Sequence, residues 1–72
     1  MRTRAFMVAR SKRFVWISLP DIHEHQTLTI DRNEQDFDHL PGETFTVELT
    51  GGIVNRPAPY SGWTADITER TD

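Results

Sequence analysis

Between Thr44 and Thr50 apolar and polar side chains alternate without a break, with Phe45, Val47 and Leu49 on one side and Thr44, Thr46, Glu48 and Thr50 on the other. A period of two is the signature of a strand that buries one face. The pattern returns in residues 63–68, where Trp63, Ala65 and Ile67 are expected inward and Thr64, Asp66 and Thr68 outward. It returns again in 26–31, where Leu28 and Ile30 alternate with Thr27, Thr29 and Asp31. Threonine suits the outward positions, because its branched Cβ packs well on a pleated surface. Two further β-prone runs, residues 5–10 and 14–19, flank the polar turn Arg10-Ser11-Lys12-Arg13 and read as a hairpin. Pro20 ends the second run, since it has no N–H for a ladder.

One stretch breaks the period. Asn33 is a plausible N-cap, Glu34 and Asp36 suit a first turn, and Phe37 and Leu40 stand three apart. This predicts a short helix over 33–40 that lays Phe37 and Leu40 across the end of the sheet. Pro41-Gly42 then stops it and turns the chain into the 44–50 strand. After Leu49, Gly51-Gly52 and residues 55–62 read as a loop, with Ile53 and Val54 as a brief extension of the sheet. Five short strands leave unpaired edges unless the sheet curls. The expectation is an all-β chain: a small five-stranded barrel with one short helix between strands three and four. Residues 1–72 form a single domain whose last few residues fray.

Composition sets the limits. With 72 residues and 36% hydrophobic content, the chain can build one modest core. The absence of cysteine rules out disulfides and thiolate metal sites, and it suits a reducing cytoplasm. No apolar run approaches the roughly 20 residues of a membrane-spanning helix. Nor does a signal-type apolar stretch follow Arg2 and Arg4. A soluble, cytoplasmic protein without membrane partners is therefore expected. Net charge is only −3, but it is uneven: residues 1–20 carry five cations and no acid, and the rest carry three arginines against eleven acids. Either the basic strands form a track for a polyanion, or they lie beside the acidic ones and are neutralised across the sheet.

The strand order, with a helix between strands three and four, resembles the OB-fold. Leu40-Pro41-Gly42-Glu43 and the alternating Thr44-Phe45-Thr46-Val47-Glu48-Leu49-Thr50 resemble the strand-four region of bacterial translation initiation factor one. TRAM domains carry a similar Leu-Pro-Gly-Glu turn. Lys12-Arg13-Phe14-Val15-Trp16-Ile17 is similar to the cold-shock motif Lys-Gly-Phe-Gly-Phe-Ile, with Arg13 and Val15 at its glycine positions. The resemblance implies an OB-fold in which exposed aromatics stack on the bases of single-stranded nucleic acid.

Phe14 and Trp16 are the leading site candidates. Alternation separates them from Val15, Ile17 and Leu19 but does not say which set is the core. If the aliphatic set is inside, Phe14 and Trp16 form a platform beside Arg10, Lys12 and Arg13. Bases would stack on it and phosphates would be neutralised there. The expected function is thus a non-catalytic module that binds single-stranded nucleic acid or RNA through strands one to three. The rival is a protein-binding regulator or inhibitor, of the kind mobile elements encode, whose acidic surface meets a basic partner. His23 and His25 would share a strand face near Asp21, Glu24, Asp38 and His39, yet nothing fixes a third ligand, so no metal and no cofactor are expected. The serines Ser11, Ser18 and Ser61 lack a nucleophile context, and Gly51-Gly52 lacks the lysine and helix of a phosphate loop. A barrel this small should hardly enclose a pocket of ~300 Å3. No enzymatic activity is expected. The Arg56-Pro57-Ala58-Pro59-Tyr60 stretch could present Tyr60 and Trp63 to a protein, or simply cover the barrel end.

Overall fold

A computed structural model of the chain describes residues 1–57 and 62–70, apart from the side chains at 23–25. The alternating runs become β1 (Arg2–Arg10), β2 (Phe14–Leu19), β3 (His23–Asp31), β4 (Thr44–Arg56) and β5 (Gly62–Arg70). They close into a barrel in the order β1-β2-β3-β5-β4, which returns to β1. All neighbours are antiparallel except β3 and β5, which run parallel. This closed five-stranded barrel is compatible with an OB-like fold. No described helix is long and apolar enough to cross a membrane.

Parity fills the interior as the strand patterns require. Ala5 and Met7 from β1, Val15, Ile17 and Leu19 from β2, and Leu28 and Ile30 from β3 are buried with Phe45, Val47, Ala65 and Ile67. Leu49, Ile53 and Trp63 pack against this cluster half-buried. Thr64, expected outward, is also buried, and β4 runs on through Ile53 and Val54 to Arg56. A turn from Leu19 to Ile22 carries Pro20 and is closed by the Ile22 N–H donating to the Leu19 carbonyl at 3.0 Å.

The helix expected over 33–40 is absent, and the described residues contain no helix at all. Asp31, not Asn33, organises this segment. Its side chain accepts from the Asn33 N–H at 2.8 Å, and its carbonyl accepts from the Glu34 and Gln35 N–H groups at 3.0 Å. One turn forms and then stops. The Asp36 carboxylate accepts the Phe37 N–H at 2.8 Å, so a side chain takes the donor that a helix would have used. Asn and Asp are poor interior helix formers, and a helix this short cannot repay its nucleation cost. Phe37 and Leu40 consequently part company. Phe37 is fully buried, whereas Leu40 is 69% exposed. An extended strap plugs the barrel end where a helix was expected.

Candidate functional site

Val15, Ile17 and Leu19 are fully buried, so β2 turns Phe14, Trp16 and Ser18 outward, all half-exposed. The two rings lie 6.1 Å apart between centroids, tilted by 50°. Across β3 they stand opposite Asp31 and Thr29, which are covered despite facing out. On the other side, β1 brings Phe6 opposite Ser18 and one diagonal step from Trp16. Phe6 is 38% exposed and Val8 42%. The outer face of β1 and β2 is therefore an apolar patch with three aromatic rings. Sequence reasoning missed Phe6, although a signal existed: Arg2 and Arg4 must face water, and Phe6 shares their parity on the strand.

The cations divide into two groups. Lys12 and Arg13 form the tip of the β1–β2 hairpin, which Ser11 closes. Its N–H donates to the Phe14 carbonyl at 2.8 Å, and its hydroxyl accepts the Phe14 N–H at 3.0 Å. Arg32 braces the tip from the next connection. Its guanidinium donates to the Ser11 carbonyl at 2.6 Å, and its N–H donates to the Arg13 carbonyl at 2.7 Å. The Arg13 guanidinium lies 4.9 Å from the Phe14 centroid and 3.5 Å from the Asp31 carboxylate, with its side chain still 57% exposed. Lys12 is exposed. Lys12, Arg13, Phe14 and Trp16 are thus brought together.

Arg10 is not part of that face. A bulge between Met7 and Ala9 shifts the register, so Ala9 stands opposite Trp16 and Arg10 opposite the buried Val15. The extra residue reverses strand parity, and Arg10 swings to the barrel end. There its guanidinium donates to the Phe37 carbonyl and, at 3.0 Å, to the His39 carbonyl, and pairs with Asp36 at 3.6 Å. These bonds hold the strap that carries Phe37.

The remaining charges are largely matched within the fold. Arg4 grips Asp21 with two bonds of 2.9 and 2.8 Å, which hold the carboxyl below its ordinary 3.8 and raise the guanidinium. Arg32 does the same to Asp36, with bonds of 3.1 and 3.0 Å as the main cause of its lowered pKa and the Phe37 N–H and Arg10 adding to it. Basic β1–β2 and the acidic residues 21–36 therefore neutralise each other in part.

The side chains of His23, Glu24 and His25 lie outside the described residues, as do Ala58, Pro59, Tyr60 and Ser61 of the β4–β5 connection and the expected fraying at Thr71 and Asp72. Among the described residues no three His, Asp or Glu side chains are grouped to hold a metal. His39 stacks on Phe45 at 4.2 Å, with its Nε2 2.9 Å from the Glu69 carboxylate. A cleft of about 540 Å3 opens beside β5, flanked by β3 and β4. It lies at the barrel wall and is not enclosed by the barrel. Comparison with protein-family models, with curated proteins and with solved structures found no match.

Proposed function

We propose that this chain is a non-catalytic, cytoplasmic, OB-like module that binds single-stranded nucleic acid on the outer face of β1 to β3. The observation that carries the reading is the outward placement of Phe14 and Trp16, with Phe6 beside them and Lys12 and Arg13 at one end. A tilted row of half-exposed rings offers π-faces to successive bases whatever their sequence, and the hairpin tip offers charge to the backbone.

The test uses a Trp63→Phe background, so that Trp16 alone reports. Single-stranded DNA or RNA should quench its fluorescence at low salt and lose affinity steeply as salt rises, because each neutralised phosphate releases counterions. Trp16→Ala should weaken binding by about 1–3 kcal/mol, and Phe6→Ala should weaken it too, with circular dichroism unchanged. Removing the charges of Lys12 and Arg13 should flatten the salt dependence more than it alters base preference. Absence of quenching at low salt by either nucleic acid would overturn the reading.

A second reading is favoured by the ion pairs. Asp21, Asp31 and Asp36 occupy arginines that a polyanion would need, and they also remove much of the free acidity that a basic partner would seek. An apolar patch ringed by neutralised charge suits a protein surface, with Trp16 and Phe6 as anchors. Oligonucleotide titration separates the two, since a protein-docking face gives no salt-dependent quenching.

A further inference from the structure

The barrel is held least firmly between β3 and β5. Among the described residues each of its other seams has four or more register pairs, whereas β3 and β5 share one, Leu28 with Trp63. Beyond that pair, Ala65 and residues 67–70 of β5 find register partners in β4, and residues 29–31 of β3 find theirs in β2. The cleft of about 540 Å3 opens here, with Ile30 from β3, Ala65 and Ile67 from β5, and Glu34 and Asp66 among its lining. The cleft thus meets β3 at Ile30, runs along β5 and reaches Thr50, Gly52, Val54 and Arg56 of β4 on its other side.

We propose that this seam accepts an extended, cationic peptide segment as an added strand. An open edge presents N–H and C=O groups at the strand repeat, which only another backbone in extended form can match one for one. Residues 64–68 line the cleft, a length of ~16 Å at about 3.3 Å per residue, which suits a segment of about five residues. Alternate side chains of such a segment would point inward to Ile30, Ala65 and Ile67, and outward to Glu34 and Asp66. The lining carries those two acids against Arg56 alone, and the Asp66 carboxylate has no ion-pair partner among the described residues. Gly51 makes room for that carboxylate, since a Cβ there would fall 2.9 Å from its Oδ2. Lysine or arginine at alternate positions complements this rim, and a polyanion does not. The cleft borders the β5 side of β3 and the aromatic rings its β2 side, so the two sites are neighbours that recognise opposite charge and are told apart by the sign of the ligand.

The experiment titrates the whole chain with the blocked pentapeptide Lys-Val-Lys-Val-Lys and follows backbone amides by NMR and hydrogen exchange. The expected result is shifted, exchange-protected amides in Ile30 and residues 64–68, with that of Phe6 on β1 unchanged. Replacing the central lysine by proline, or all lysines by glutamate, should weaken binding about tenfold or more, through a lost donor and reversed charge respectively. Asp66→Lys, at an exposed position, should invert the preference between basic and acidic peptides while leaving the amide spectrum folded. Unchanged amides at millimolar peptide, equal binding of the proline peptide, or shifts confined to the aromatic face would each overturn the proposal.

Discussion

Phe37 does the work of a helix from an irregular strap. Its ring is fully buried and lies 5.5 Å from that of Phe45, on which His39 stacks. The backbone around it cannot rely on helical bonds, so Arg10 supplies donors to the Phe37 and His39 carbonyls. Deleting the ring leaves a cavity that a strap tied at both sides cannot easily collapse. Phe37→Ala should cost about 3–5 kcal/mol. A chain of this length has roughly 4–11 kcal/mol in total, so the variant should be largely unfolded or nearly so in urea titrations. Leu40→Ala, at an exposed position three residues on, should stay within ~0.5 kcal/mol of the parent. Similar midpoints for the two variants would show that the ring does not close the barrel.

At the scale of elements, the turn Leu40-Pro41-Gly42-Glu43 registers β4 against β1. Proline fits its second position, and Gly42 adopts φ +95° at the third, as a type II turn requires. The Glu43 N–H donates to the Leu40 carbonyl at 3.1 Å, the Gly42 N–H to the Met7 carbonyl at 2.8 Å and the Met7 N–H to the Glu43 carbonyl at 2.9 Å. A Cβ at Gly42 meets no atom within 4 Å, so the penalty for Gly42→Ala is conformational alone. It should be about 1–2 kcal/mol by chemical denaturation. A neutral substitution would mean that the turn can relax without disturbing Met7. Such elements are legible in the sequence because each rests on local chemistry: period two for the strands, Pro-Gly for the turn. The strap was not legible, because its outcome depends on Asp36 competing for a backbone donor and on Arg10 arriving from a distant strand. The aromatic face was half legible. Parity separates Phe14 and Trp16 from Val15 and Ile17, but both sets are apolar, and only the barrel's filling decides between them. Phe37 and Phe45 already occupy the interior, and the compact aliphatic set completes it. Arg10 was misplaced because no glycine or other residue type announces the bulge that reverses its parity.

Across the whole molecule, the uneven charge of the chain folds back on itself. Arg4 meets Asp21, Arg13 meets Asp31, and both Arg10 and Arg32 meet Asp36, so cations from the basic first twenty residues are paired with acids that follow them in the chain. Asp21 and Asp36 are both held below their ordinary 3.8, in each case chiefly by hydrogen bonds from an arginine. A carboxyl whose pKa is lower folded than unfolded contributes stability above its unfolded value and loses it as pH falls through the folded one. That contribution is therefore complete at neutral pH and fades below about pH 4. These pairs are exposed, so the loss should be a gradual decline in melting temperature, not a sharp collapse. Asp36→Asn isolates the charge, because the amide oxygen can still accept the Phe37 N–H while the pull on Arg32 and Arg10 is gone. The variant should melt below the parent at pH 7, and the gap should close as pH falls toward 2 and the parent's own carboxyl protonates. Raising salt at pH 7 should narrow the gap in the same direction, since screening weakens exposed pairs. A gap that stays constant from pH 7 to pH 2 would assign Asp36 a purely geometric role as the residue that ends the turn.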